Sequence, residues 1–599
     1  MEESRTDIDR PVTSGPAIAQ WGSDHIADVM RALNFEYVAL TPGASFRGLH
    51  DSLVNYLGNT RPRMLLALHE ETAVAIAHGY AKVTGTPLGV VLHSNVGLLH
   101  ASMAIFNAWC ERVPMLLYGG NGPMDAAIRR PWVDWMHTCT DQAALVRHYI
   151  KWDNQPASLA ATAEAMLRAA MIAQTTPCAP TYVIFDSALQ EEKLAKPLPV
   201  PDVARYQPPP PAYPAPEMVR QAATLLSAAK RPVLLAGRGS RSLAAWNNRI
   251  ALAEALGARV LTSLRTAAAF PSDHPLHAGT PIKFVNDSVL DVVRTADVIL
   301  SLDWIDLGGL LKQAWQTDPV SAKVIQASVD VHVHNGFSMD HLGLPAVDLN
   351  LLADPDVATA ALLAELRATR TSGASEPAAT RDSRRAPAAT AQSSADGIGV
   401  RNLAGAINAI AAEQETCLIR LNLGWPADMT RYNHPLDYLG GDGGGGIGAG
   451  PGLTVGAALA LRGTGRLPLA VLGDGDFIMG VSALWTATHS RIPLLIVVAN
   501  NRSFFNDEMH QERMARLRGR PVENRWIGQR IADPAIDLAG LARAQGAIAI
   551  GPVTSARDME PVLRDAVAKT RAGAVVVVEM LVAAEYDDAI ARTMVRGSQ

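Results

Sequence analysis

The sequence predicts an α/β protein built from three doubly wound parallel-sheet domains. Three observations support this. Short β-rich apolar runs alternate with helical stretches of roughly 10–15 residues along most of the chain. Two stretches break the rhythm: a proline-rich segment at 197–216, and an Ala-, Ser-, Thr- and Arg-rich segment at 367–397. A chain of 599 residues is also too long for a single hydrophobic core. The expected organisation is a polar leader (1–20), a first domain (21–196), a linker (197–216), a central domain (217–366), a second linker (367–397) and a third domain (398–599).

Composition narrows the classes of function. Hydrophobic residues at 48% and charged residues at 19% indicate a globular protein. A net charge of −5 gives no basic footprint for nucleic acid. Cys110, Cys139, Cys178 and Cys417 are widely spaced, which favours neither a disulfide framework nor a zinc site. The leader lacks the apolar centre of a signal peptide, and no apolar run is long enough to span a bilayer. A cytoplasmic location without membrane association is expected.

In the first domain, Ser23 is the expected cap of a helix running to Leu33, with Ile26, Val29, Met30 and Leu33 on its apolar face. Strands are expected at Tyr37–Leu40, Met64–Leu68, Leu88–Leu92, Val113–Tyr118 and Thr181–Phe185. The second of these meets His69-Glu70-Glu71 before a helix through Tyr80, and the third runs into His93-Ser94 and another helix. In the central domain, helices Glu217–Ala228 and Leu243–Leu256 alternate with strands Pro232–Ala236, Arg259–Thr262, Val298–Leu302 and Lys323–Ala327.

The third domain opens with a strand at Leu418–Leu421 that ends at Asn422. The stretch 440–452 holds nine glycines in thirteen positions and leads into an apolar helix, Leu453–Leu461. It lacks the spacing of a dinucleotide fingerprint and reads as a flexible loop. Two apolar runs follow, Leu467–Leu472 and Pro493–Ala499, joined by a helix from Phe477 to His489. This is a βαβ unit, which puts both strand ends on one sheet edge. Gly473-Asp474-Gly475 closes the first run and Asn500-Asn501 the second, so Asp474 and Asn501 are expected to meet although 27 positions separate them. A carboxylate and an amide oxygen at such an edge suit Mg²⁺, and the glycines admit a phosphate. An ordinary strand–turn–helix with a capping Asp is the alternative. A final strand is expected at Ala574–Met580.

The GDG…NN pattern, the early His69-Glu70 pair and the three α/β domains resemble the thiamine-diphosphate enzymes of the acetolactate synthase, pyruvate oxidase and 2-oxo acid decarboxylase superfamily. LHEETAVAIAHGYAK, LHSNVGLLHASMAIFNAW and SALWTA resemble benzoylformate decarboxylase most. The resemblance implies a pyrimidine-binding first domain, a Rossmann-like central domain and a diphosphate-binding third domain. It also implies Asp474, Asn501 and the Ser503 carbonyl as Mg²⁺ ligands, with Gly473, Gly475, Asn422 and Asp476 at the cofactor. Glu70 takes the place of the glutamate that activates the cofactor by holding a proton at the aminopyrimidine. A glutamate idle at a helix N-terminus is the alternative. Ile447 takes the place of the apolar residue wedged between the cofactor's rings, with a core isoleucine as alternative. Because the family builds each site from two subunits, a homodimer or a tetramer of paired dimers is implied.

The implied reaction forms an acyl-carbanion equivalent from a 2-oxo acid or acyloin, then protonates it or adds it to an aldehyde or ketone. His93 takes a proton-transfer role, and imidazole titrates in the range that role needs; a structural histidine is the alternative. His137 is expected as a further catalytic residue, at a place where relatives carry a pocket-lining glutamine or leucine. Ala44, Ser45, Ser94, Trp485 and Phe504 are placed at the substrate pocket, with core packing as the alternative for the two aromatics. Ala44 stands where benzoylformate decarboxylase has a carboxylate-holding serine, which favours an acetolactate-synthase-like or lyase activity over an aromatic 2-oxo acid decarboxylase. Asp476 replaces a small residue, and Leu423-Gly424-Trp425 replaces a hydroxyl-rich contact with the diphosphate. The middle-domain LLAGRGS (234–240) sits where some relatives hold FAD or ADP, and one Gly-x-Gly is too little to assign either. The arginine-rich segment 506–530 is read as a lid or a solvated surface. A non-catalytic cofactor-binding subunit is a further alternative.

Overall fold

The computed structural model describes residues 8–12, 18–283, 285–332, 343–370, 397–441 and 443–586. Most of the second expected linker therefore lies outside the described residues, as does much of the leader.

Among the described residues three sheets form, and every strand pairing within them is parallel. The first orders its strands β2-β1-β3-β4-β6-β5, where β1 is Tyr37–Leu40, β2 Arg63–Leu66, β3 Gly89–Leu92, β4 Met115–Asn121, β5 Trp152–Asn154 and β6 Pro180–Asp186. The central sheet runs β11-β10-β9-β7-β8, from β7 (Pro232–Ala236), β8 (Arg259–Thr262), β9 (Val298–Leu302), β10 (Lys323–Ser328) and β11 (Leu349–Leu352). The third runs β12-β13-β14-β16-β15, from β12 (Thr416–Arg420), β13 (Leu467–Gly473), β14 (Leu494–Asn500), β15 (Ile548–Val553) and β16 (Val575–Leu581). Helices cover the sheet faces, so the inner strands are apolar throughout: all seven residues of β14 are buried. Val471, Val497 and Val578 pack with Leu403, Ile407 and Leu563 in the core of the third sheet.

The described residues form two compact units. One holds the first sheet together with helix Gly450–Ala460; the other holds the central and third sheets. Helix Gly450–Ala460 packs on helix Glu70–Thr84 through glycines on both surfaces. A Cβ on Gly79 would lie 2.1 Å from the Leu453 carbonyl, and one on Gly456 would lie 1.8 Å from the Ile76 carbonyl.

Two local expectations are corrected. The first helix spans Gly22–Ala32 and Ser23 lies inside it; the Asp24 carboxylate caps it, accepting the Gln20 and Trp21 N–H groups at 2.9 and 3.0 Å. The crossover expected as one helix from Phe477 is two, Asp474–Gly480 and Ala483–His489. In the central sheet, packing accounts for the Gly-Arg-Gly turn. A Cβ on Gly237 would lie 2.1 Å from the Asp303 carbonyl, and one on Gly239 2.7 Å from Arg249 Nη1. Among the described residues no helix is long and apolar enough to cross a membrane.

Candidate active site

The register of the third sheet pairs Gly473 with Ala499, so β13 and β14 end side by side. Asp474 opens helix Asp474–Gly480 and is 4% exposed. Its Oδ1 accepts the Gly475 N–H at 2.9 Å and its Oδ2 the Ser503 N–H at 3.2 Å. The same Ser503 N–H donates to Asn501 Oδ1 at 3.0 Å. Asp474, Asn501 and Ser503 therefore converge on one amide. Asn500 turns elsewhere: its Nδ2 donates to Glu579 Oε1 at 2.8 Å and its Oδ1 accepts the Arg502 N–H at 3.0 Å.

Burial pushes the Asp474 carboxyl up to about 6, against backbone N–H groups that favour its charge. No cationic side chain pairs with it among the described residues. A buried carboxylate beside an amide oxygen, without a counter-charge, fits a hard divalent cation. The glycines beside it differ in purpose. A Cβ on Gly473 would meet open space, as a ligand cradle requires, whereas one on Gly475 would lie 2.7 Å from Phe504 Cε1. Phe504 thus lies over the turn. Asn422 follows β12, and its Oδ1 is buried without a hydrogen-bond partner among the described residues, a polar atom left over for a ligand. Asp476 pairs with Arg420, Nε to Oδ2, at 2.8 Å. Trp485 stacks on His489, ring centroids 4.6 Å apart.

The first sheet gathers a second group. His69 caps helix Glu70–Thr84, its Nδ1 accepting the Glu71 N–H at 3.2 Å. Glu70 is buried in the first turn, and its Oε2 lies 3.1 Å from His100 Nδ1. Helix Ser94–Cys110 passes so close that a Cβ on Gly97 would lie 3.3 Å from Glu70 Oε1. His93 follows β3, and its Nδ1 faces the Ser45 N–H at 3.3 Å and the Ser45 hydroxyl at 2.9 Å. His137 meets the His93 ring edge-on at 4.7 Å. Burial pushes the His93 pKa down, with His137 adding to the effect and Glu70 opposing it. A ring nitrogen that accepts an N–H carries no proton, so neutral His93 holds its proton on Nε2.

Ser94 is buried at φ 40°, and its hydroxyl donates to Asn95 Oδ1 at 3.0 Å. Asn95 Nδ2 donates to the Met136 carbonyl at 3.1 Å, which ties this turn to the His137 segment. Ala44 is exposed on the rim of an open depression shared with Pro42, Arg47 and His50. The glycine-rich loop lies on helix Ser94–Cys110: Cβ atoms on Gly443, Gly444 and Gly446 would come within 2.5 Å of Cys110, Asn107 and Met103. Close approach thus requires those glycines, and half-buried Ile447 follows them.

Three family models match the chain: the N-terminal TPP-binding domain of thiamine pyrophosphate enzymes over residues 20–145, their central domain over 219–357 and their C-terminal TPP-binding domain over 422–580. The chain belongs to the thiamine pyrophosphate enzymes. Its cofactor is thiamine diphosphate, and it is an enzyme of the kind to which decarboxylases and synthases belong. It is 27% identical to the probable 2-ketoarginine decarboxylase AruI of Pseudomonas aeruginosa, across 84% of each chain. Against the acetolactate synthase isozyme 1 large subunit of Escherichia coli the identity is 26%, covering 80% of this chain and 82% of that one. Benzoylformate decarboxylase of Pseudomonas aeruginosa is 25% identical over 74% of this chain and 79% of its own. The fold is shared with benzoylformate decarboxylase from Polynucleobacter necessarius (TM-score 0.72, 21% identity, 95% of this chain and 100% of that one).

Sequence reasoning overlooked His100 and Arg420. His100 was visible only as one more residue of a helix, and Arg420 as one residue within a strand; their partners Glu70 and Asp476 are distant in sequence.

Proposed function

We propose that this thiamine pyrophosphate enzyme is an Mg²⁺-dependent carboligase or lyase. It takes a 2-oxo acid or acyloin as donor, breaks the bond beside the carbonyl, and protonates the acyl unit or joins it to an aldehyde or ketone. The observation that carries the metal and cofactor reading is the convergence of buried, uncompensated Asp474 with Asn501 on Ser503 N–H. Thiamine diphosphate supplies, when bound, a nucleophilic carbon and a sink for the electrons of the broken bond. Asp474, Asn501 and the Ser503 carbonyl hold the metal; Gly473, Gly475, Asp476 and Asn422 face the diphosphate; Ile447 supports the rings.

Glu70, buried at its helix start, is the group that contacts and activates the aminopyrimidine. Neutral His93 accepts and returns a substrate proton, with His137 beside it. Ser45 spends its hydroxyl on His93 and so does not replace the carboxylate ligand missing at Ala44. Ser94, Phe504 and Trp485 complete the pocket. Two subunits, at least, share each site. A second reading, an aromatic 2-oxo acid decarboxylase, rests on the His93-Ser94 pair and the likeness to benzoylformate decarboxylase. A donor panel of pyruvate, benzoylformate, benzoin and cyclic diketones, with product analysis, decides between them. Carbon dioxide released rapidly from benzoylformate without carboligation overturns the first reading.

A further inference from the structure

A carboxylate after the Gly473–Gly475 turn would repel a diphosphate held there. Asp476 is that carboxylate, only 6% exposed, and Arg420 covers it: Nε to Oδ2 is 2.8 Å, with Arg420 itself 9% exposed. Arg420 ends β12 two residues before Asn422. From the central part of the same compact unit, Lys283 Nζ donates to the Asn422 carbonyl at 3.2 Å and to the Leu423 carbonyl. Burial pushes the Lys283 pKa down to about 7, and the charges of Arg265 and Arg420 add to the effect.

Arg420, paired with Asp476, and Lys283, bonded to the Asn422 carbonyl, thus bring two cations to the end of β12. Leu423 and Gly424 bring no hydrogen-bonding side chain to this place, and the Asn422 amide oxygen is unsatisfied. Two cations that share one carboxylate in a partly buried site leave a positive charge that an arriving anion offsets. An arginine braced by a carboxylate holds its guanidinium in a fixed plane, a geometry that suits phosphate oxygens.

We propose that Arg420, oriented by Asp476, and Lys283 form a cationic clamp on the cofactor's diphosphate. Asp476 is a positioning residue within it, and Lys283 ties the Asn422–Leu423 turn to the central sheet. The inference rests on the reading that Gly473–Asp476 and Asn422 face the diphosphate.

The test titrates thiamine diphosphate into metal-loaded apoprotein by calorimetry, with Mg²⁺–pyrophosphate as a second probe, for wild type, R420Q, K283Q, D476N and R420Q/D476N. R420Q is expected to weaken both ligands by about tenfold or more, the size of one lost charge-assisted contact, because it removes a donor and bares Asp476. R420Q/D476N is expected to bind more tightly than R420Q and more weakly than wild type. K283Q is expected to weaken both ligands and flatten the salt dependence. R420Q and K283Q binding within about twofold of wild type overturns the clamp. D474N and N501A run in parallel: if they also bind normally, it is the placement of the diphosphate that fails, not the clamp alone. Should R420Q not fold, the double variant, which buries no lone charge, carries the comparison.

Discussion

The hydroxyl of Ser45 lies 2.9 Å from Nδ1 of His93, and the Ser45 N–H points to the same nitrogen. This fixes the tautomer and leaves the proton on Nε2, the nitrogen through which the proposed proton transfer would run. Burial holds the His93 pKa below its ordinary 6.5. The sign follows from proton counting: the unfolded chain binds this proton more readily. The stability contributed by neutral His93 is therefore full above 6.5 and is lost as pH falls through the depressed value. Turnover is expected to fall over that same acid range, and H93A to lower kcat by about a hundredfold. S45A removes a donor to Nδ1 and should move the acid limb of the kcat/KM profile upward. An unmoved limb would show that the contact does not tune His93.

Glu70 and His100 make a different pair. His100 is 60% exposed, so solvent screens the contact, which contributes below about 1 kcal/mol to stability. H100A is expected to leave the melting temperature nearly unchanged. E70Q is expected to abolish turnover while the affinity for thiamine diphosphate, read by circular dichroism of the bound cofactor, stays close to wild type. Turnover at the wild-type rate in E70Q removes Glu70 from its role.

Neighbouring asparagines provide a sharper contrast. Asn501 faces Asp474 through Ser503, whereas Asn500 is buried against Glu579, whose other oxygen accepts the Ala539 N–H at 3.1 Å. N501A should cost metal-dependent cofactor binding and little stability. N500A leaves a buried carboxylate short of a donor and should cost about 1–3 kcal/mol of folding stability. Denaturant melts and Mg²⁺ titrations of both variants check the assignment, which is lost if the two effects are exchanged.

What was legible followed from how far apart the interacting residues are in sequence. β7, β8 and β9 are centred on short apolar runs, Val233–Leu235, Val260–Leu261 and Val298–Leu300, because strands buried on both faces need continuous apolar residues. Asp474 and Asn501 were legible as a pair because one βαβ unit determines which strand ends meet. β5 was missed: a three-residue strand at a sheet edge, Trp-Asp-Asn, has no buried face to impose a pattern. β15 was missed for a related reason, being a partly exposed edge strand interrupted by Gly551-Pro552. Lys283 reaches Asn422 across 139 positions, and no periodicity reports such a contact. The glycine-rich loop was read as flexible, yet its glycines answer to the surface of helix Ser94–Cys110, a constraint that exists only once the chain is folded.

Gly456 and Gly85 separate two reasons for a glycine. Gly85 ends helix Glu70–Thr84 at φ 70° with open space where a Cβ would go, so G85A meets only backbone strain, about 1 kcal/mol. Gly456 lies against the same helix, where a Cβ would sit 1.8 Å from the Ile76 carbonyl. A backbone atom cannot swing aside as a side-chain end can, so G456A must part the two helices. Overpacking of this kind costs about 1–3 kcal/mol, and the upper end is expected here. The helix that moves carries Glu70 in its first turn, and a shift of about 1 Å in a catalytic group can cost a hundredfold in rate. G456A is therefore expected to lower the melting temperature and kcat together, G85A the melting temperature alone. Equal kcat values in the two variants would show that the packing of Gly450–Ala460 does not hold Glu70 in place.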